Sequence, residues 1–157
     1  MFAVGANAQS SKSAAIPDDL QITLQRTFCL GDCPVYKLEI DAAGLVTFEG
    51  TEFTQKKGLA KGGISHEKIR QLVEIIEKIN CFSLQDSYDE HTCEIHMTDQ
   101  PSQIISVRMN GKHKTVLYDL GCVGQKNSNE LSALTELGRS IDDLTGSELW
   151  IKMKKNN

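Results

Sequence analysis

Five cysteines and four histidines carry most of the reactive chemistry that this sequence offers. Two of the cysteines stand four apart in Arg26-Thr27-Phe28-Cys29-Leu30-Gly31-Asp32-Cys33-Pro34-Val35-Tyr36, around a Gly-Asp turn and between two strand-like runs. That spacing permits two chemistries. Leu30-Gly31-Asp32 allows a sharp reversal that would join the two sulfurs, the simplest outcome in an oxidising compartment. So short a loop removes little entropy from the unfolded chain, about 2 kcal/mol, and such a bridge would mainly fix the turn. Alternatively, free Cys29 and Cys33 would serve as a thiol-redox pair or, as two thiolates, would select a soft ion such as Cu(I), with His66, His91, His96 or His113 as a third ligand. Cys93 and Cys122 border strand-like runs and can form a second bridge. Cys81, beside Phe82, reads as a small buried apolar residue and as the thiol left over from an odd count.

Other residues invite a polar site. Arg26 falls in register with Ile22, Leu24 and Phe28, on the face that should be buried, and a buried guanidinium needs partners. Asp86, Asp89 and Asp99 are available for an internal ion pair; the alternative is an anion-binding site formed by Arg26 with Lys114 and Tyr36. His91-x-Cys93-x-x-His96 resembles half of a zinc set. On a strand, however, His91 and Cys93 share a face that His96 does not, and four ligands are not evident. Gly-x-Ser-x-Gly, the phosphate-cradling Gly-x4-Gly-Lys-Ser/Thr and His-Glu-x-x-His are all missing. The expectation is a binding domain for a protein or small-molecule ligand, with no catalytic residues and no cofactor.

The elements that must position these residues follow from periodicity. Ile22 and Leu24 alternate with polar neighbours as a half-buried strand, and Tyr36, Leu38 and Ile40 do the same. Asp41-Ala42-Ala43-Gly44 makes a turn into Val46 and Phe48, so residues 35–49 form a hairpin. Residues 54–64, with three glycines and three lysines, read as a loop. Ser65 can cap a helix that buries Ile69, Leu72, Val73, Ile76 and Ile79 and ends near Asn80. Beyond it, His91–Thr98 reads as a strand, and 104–109 with 112–118 form a hairpin around Asn110-Gly111, a dipeptide suited to a two-residue turn. Asn127 and Glu130 resemble a capping box ahead of Leu131, Leu134, Leu137, Ile141 and Leu144. Gly138 inside that helix costs about 1 kcal/mol against Ala, a sign that the helix lies close to a neighbour. Strand, hairpin and helix thus occur twice. The fold expected is α+β: an antiparallel sheet with two helices packed on one face, and a candidate internal duplication. Trp150 and Ile151 are expected to fold back onto the core edge.

Composition bounds the rest. At 157 residues, with 39% hydrophobic and 24% charged side chains, the chain can bury one core, taken as residues 20–151. A net charge of −4 argues against a nucleic-acid partner. No apolar run is long enough to span a bilayer. Ala6-Asn7-Ala8, after a short apolar stretch, has the small-residue spacing of a signal-peptide end. Residues 1–19 therefore read as a residual signal-like segment with a polar linker, residues 152–157 as a basic tail, and the address as periplasmic or secreted.

Two resemblances follow from these residues. Cys29-x3-Cys33-Pro34 resembles the copper-binding loop of the Sco-type thioredoxin-like proteins, which implies copper held by both thiolates and a distant histidine. That loop sits between a strand and a helix, whereas Val35–Ile40 continues here as a strand. Arg26-Thr27-x-Cys29-x-Gly31-x-Cys33-Pro34-x-Tyr36, with Gly44 and Phe48-x-Gly50, is similar to a family of bacterial domains of unknown function. Thr98-Asp99-x-Pro101, Asn110-Gly111-Lys112 and Ile141-Asp142 resemble the same family, and the likeness spans about residues 20–151. It implies an exported bacterial protein and carries over no reaction or cofactor. Members are often lipid-anchored; with no cysteine near the start, anchoring is not implied for this chain.

Overall fold

Ile22 and Leu24, then Tyr36, Leu38 and Ile40, then Val46 and Phe48 are all buried on one side of three adjacent strands. These are β1 (Gln21–Arg26), β2 (Val35–Asp41) and β3 (Leu45–Glu52), as the alternation requires. The computed structural model describes residues 13–152. The Ala6-Asn7-Ala8 segment, and Lys154 and Lys155 of the basic tail, lie outside the described residues. At the β2–β3 turn, Asp41 accepts from the backbone N–H groups of Ala43 and Leu45. Gly44 has a φ of +89°, and a Cβ there would collide with the Ile64 carbonyl.

A fourth strand, β4 (Gly58–Gly63), lies where the sequence reads as a loop. Its glycines leave no alternation to detect. They suit the position all the same, because the Trp150 ring lies against Gly62 and a Cβ there would crowd it. Helix α1 (His66–Lys78) starts as expected: the Ser65 hydroxyl accepts from the Lys68 N–H, and Ile69, Leu72, Val73 and Ile76 are buried.

The second half contributes β5 (Ser87–Tyr88), β6 (Ile95–His96), β7 (Ser102–Met109), β8 (Lys112–Asp119), β9 (Cys122–Val123), α2 (Ser128–Thr145) and α3 (Glu148–Ile151). Seven strands form one sheet in the order β4-β3-β2-β1-β7-β8-β5. All its neighbours are antiparallel except the short β5–β8 pair. The expected strand at His91–Thr98 shrinks to β6, which pairs with β9 outside the main sheet. The residues before it instead turn, with the Thr92 and Cys93 N–H groups donating to the Asp89 carbonyl. The two halves share a hairpin-then-helix order but not a strand arrangement: β1 sits between them, paired to β2 on one edge and β7 on the other.

Both long helices cover the same apolar face and share one core. Helix α1 starts beside the β2–β3 turn and is followed by a short 3-10 turn at Cys81–Ser83. Helix α2 passes over the β7 residue Gln103. Its N-terminus lacks the expected capping box: Asn127 adopts a left-handed φ of 59°, and its side chain caps nothing. The chain end folds back as expected. Trp150 packs against Phe48 with the rings tilted by 32° and their centroids 5.2 Å apart, and the Trp150 carbonyl accepts from the Lys56 N–H. Among the described residues, no helix is long and apolar enough to cross a membrane.

Candidate functional site

Arg26 ends β1 with Tyr36 opposite it on β2 and Gln103 opposite it on β7, all three on the helix-covered face. Strand parity carries the arginine there, in line with Ile22 and Leu24. Its carboxylate partner is Asp142 on α2, not Asp86, Asp89 or Asp99. The Arg26 Nη2 donates to Asp142 at 2.9 Å, Nη1 to the Gln103 Oε1 at 2.8 Å, and Nε to the Tyr36 hydroxyl at 3.2 Å. Tyr36 in turn donates to Asp142, 2.8 Å and 2.9 Å from its two oxygens. Ser147, fully buried after the end of α2, donates to the same carboxylate at 2.8 Å.

Gly138 explains how α2 comes so close. A Cβ at that position would strike the amide of Gln103, whose Nε2 donates to the Leu134 carbonyl at 2.7 Å. The glycine lets the amide lie against the helix, and Asp142, one turn further on, reaches the guanidinium. Every buried side-chain polar atom among the described residues has a partner.

The network is part-buried, with the Arg26 and Asp142 side chains each 21% exposed. Burial works against the Arg26 charge, but Tyr36 and Asp142 outweigh it and hold the guanidinium above its ordinary value. Burial, and then the Asp142 charge, push the Tyr36 phenol well above the usual phenol range. At neutral pH the phenol is therefore a fixed donor. The three bonds of Arg26 use three of its five N–H groups, leaving two.

A cleft of about 460 Å³ lies over this network. Cys33, Pro34, Pro101 and Ile151 supply its apolar walls, and Arg139, Lys152, Asp143 and Glu148 stand among its polar lining. The wall carrying Cys33 is covalently fixed, because Cys29 and Cys33 are bridged, with their Cα atoms 5.8 Å apart. A second bridge joins Cys93 to Cys122 and ties the segment before β6 to β9. Cys81 is the remaining cysteine, free and buried, as its sequence context suggests. Burial raises its thiol pKa and keeps it protonated.

The alternative metal site is not assembled. Cys29 and Cys33 are bonded to each other and offer no thiolate, and the candidate histidines lie apart. His66 opens α1, His113 is exposed on β8, and the exposed His91 ring lies 3.5 Å from Glu90, with Asp89 accepting from its backbone N–H. His96 bonds Asp119 at 2.9 Å. No group of three His, Cys, Asp or Glu side chains converges as a metal site among the described residues.

Lys114 is placed elsewhere too. It pairs with Asp86, four residues along β8 from Tyr118, the residue in register with Gln103. Phe28, expected to continue the buried face of β1, is 76% exposed, because the strand ends at Arg26. Gln103, Asp142 and Ser147 are the site residues that the sequence reading did not single out as such. The signals that could have found them were the buried register of Arg26, which demands a partner, and Gly138 one helical turn before an aspartate.

Comparison with known proteins adds a family. The chain belongs to a family described as a domain of unknown function, DUF6438, whose model matches residues 20–145. No curated protein matches the chain.

Proposed function

We propose that this member of a family without an assigned function is an exported, non-enzymatic binding domain. Its ligand is a small molecule that carries a carboxylate on an apolar body, and it enters the cleft over Arg26. One observation carries this reading: a guanidinium held by three side chains lies at the cleft, with N–H groups left over, beneath walls of proline, isoleucine and disulfide. The Asp142 carboxylate already accepts from Arg26, Tyr36 and Ser147, so the spare Arg26 N–H groups are what the floor offers a ligand, while Asp143 and Glu148 line the cleft opposite in charge to Arg139 and Lys152. A carboxylate takes paired N–H donors well, and the volume falls in the range of small-molecule sites.

The same geometry disfavours catalysis. Tyr36 is held protonated, and the Ser147 hydroxyl donates to Asp142 rather than to a base that would activate it. Export is supported by the two bridges, since structural disulfides persist in oxidising compartments.

The test is an NMR titration with phenylpropionate, using phenylpropionamide as the uncharged control. The acid should shift the backbone amides of Thr27, Tyr36 and Ser147, and the amide should leave them in place. Equal shifts with both compounds, or with neither, would remove the carboxylate reading. Export has a separate test in thiol labelling of protein taken directly from cells. Four cysteines should resist alkylation, and Cys81 should react only after unfolding. Four free thiols would place the protein in a reducing compartment.

A further inference from the structure

Phe28 and Leu30 are 76% and 81% exposed, although both are large and apolar. Leu30 stands within the loop closed by Cys29–Cys33, and Phe28 immediately before it. Ile95 and Met97 are exposed as well, at and just beyond β6, while His96 between them turns inward to Asp119. This second segment is pinned by Cys93–Cys122 and by the bond from the Met97 N–H to the Gly121 carbonyl. The two segments meet where the Leu30 N–H donates to the Asp99 carbonyl. Each disulfide therefore fixes a segment that holds two apolar side chains in water. Core packing does not call for that arrangement, since all four side chains stand outside it.

The two segments themselves carry acidic charge and no cation, with Lys126 beside Glu94 at their border. Residues 27–36 and 79–107 contain no lysine and no arginine. Asp32, Glu90, Glu94 and Asp99 are all exposed there. We infer that Phe28, Leu30, Ile95 and Met97 form a docking surface for a protein segment that pairs apolar anchors with flanking lysine or arginine. Rigid apolar anchors lose little entropy on binding, and an acidic rim selects and steers a basic partner. A second copy of this chain would set acidic rim against acidic rim, and an anionic lipid surface would repel it. The surface is separate from the Arg26 cleft, and none of its four apolar residues lines that cleft.

The probe is a short synthetic peptide of alternating leucine and lysine, compared with its leucine–glutamate counterpart by fluorescence anisotropy at low and high salt. The wild-type domain should bind the lysine peptide, more weakly as salt rises, and should ignore the glutamate peptide. Phe28→Ser with Leu30→Ser should weaken binding at least about tenfold, as expected for loss of central anchors, with the melting temperature unchanged. Equal binding by the double variant, or no binding of the lysine peptide, overturns the inference. So does adsorption of the domain to phosphatidylglycerol vesicles that is lost in the double variant. A concentration-dependent dimer in sedimentation that is lost in the same variant would assign the surface to a second copy and overturn it as well.

Discussion

At one end of the sheet, where β1 stops at Arg26 and β7 starts at Ser102, the chain is held by two disulfides and by the side chains around Asp142. At the other end, Asp41–Gly44 and Asn110-Gly111 reverse the strands through their own backbone geometry. Asp19 there binds the Asn110 and Gly111 N–H groups, and Ser65 caps α1. The Asp41–Gly44 turn and the Ser65 cap need partners only a few residues away, and Asp19 is the long-range exception, reaching the Asn110-Gly111 turn across 91 residues. The cross-links of the first end join residues as far apart as Tyr36 and Asp142, so they can hold loops that have no regular structure of their own. That is where the chain can keep an open cleft and leave apolar side chains in water. The difference sets the two ends apart: mostly local chemistry closes the turn end, where a cleft is lined by Asp18, Asp19, Asp41 and Arg108, and long-range chemistry closes the end that carries the Arg26 cleft.

The comparison is broken most severely by opening the longer bridge. Cys93 and Cys122 are 29 residues apart, against four for Cys29 and Cys33. Loop-closure entropy then gives about 3.5 kcal/mol for Cys93→Ser with Cys122→Ser and about 2 kcal/mol for the shorter bridge. Urea unfolding midpoints should separate the two in that order. Equal losses would mean that neither bridge acts through the unfolded chain.

Next in size is Asp142→Ala, at about 3 kcal/mol, because it strips Arg26, Tyr36 and Ser147 of their common acceptor and leaves a charge without its partner. Arg26→Met combined with Asp142→Leu should recover much of that stability, since apolar replacements remove the buried charge along with the pair. A double variant as unstable as Asp142→Ala would mean that the network is worth more than its desolvation costs.

Gly138→Ala tests how closely the helix approaches the sheet. Helix propensity alone makes it stabilising by about 1 kcal/mol, but the new Cβ displaces Gln103 and breaks its bonds to Arg26 and Leu134. Each bond lost to a buried group costs about 1–3 kcal/mol, so the net effect should be destabilising by about 2 kcal/mol. In a double-mutant cycle with Gln103→Ala the penalty should disappear, because the obstructing amide is gone. An additive cycle would show that Gly138 makes room for something else.

The same division explains what could be read from the sequence. The hairpins, the Ser65 cap and the apolar face of α1 were legible because each rests on periodicity or on a turn residue within a few positions. Cys29–Cys33 was legible for the same reason, being closed by its own Gly-Asp turn. Strand β4 escaped because Gly58, Gly62 and Gly63 carry no side chains to alternate, and its place is set by β3 and Trp150. Asp142 escaped as the partner of Arg26 because 116 residues separate them. Parity showed that Arg26 needed a partner, but only the path of α2 decides which one. Asn127 misled because an Asn-x-x-Glu pattern also fits a residue in the left-handed conformation, where its side chain cannot reach the helix N–H groups. Phe28 misled because the period-two pattern runs one step past the point where pairing with β2 stops.

At the locally closed end, Ser65→Ala should cost about 1 kcal/mol, the usual value of an N-cap. Its influence should stay there. Amide exchange should quicken in the first turn of α1 and remain unchanged at Tyr36 and Gln103. Faster exchange at those two positions would mean that the ends are coupled through the core and that the division drawn above is false.

The smallest effect separates the ends by pH. Asp19 takes the Gly111 and Asn110 N–H groups on its two oxygens, which holds its carboxyl below the ordinary value. A depressed folded value means that its contribution is complete above the unfolded value of about 3.9 and is lost as the pH falls through the folded one. Tyr36 has the opposite sign. Its raised value makes its contribution complete below the unfolded phenol value of about 10, and that contribution is lost as the pH rises beyond it through the folded value. Acid should therefore loosen the Asn110-Gly111 turn, as it loosens the Glu94 hold on the Gln125 and Lys126 N–H groups, while alkali should act on the Arg26 network. Asp19→Asn keeps one acceptor where two are needed, so it should be less stable than the wild type at neutral pH, and the gap should close as the pH falls through the lowered folded value. Exchange of the Asn110 and Gly111 amides, followed across that range, reads the effect at its source. A gap that persisted in acid would mean that the turn is held by something other than the Asp19 charge.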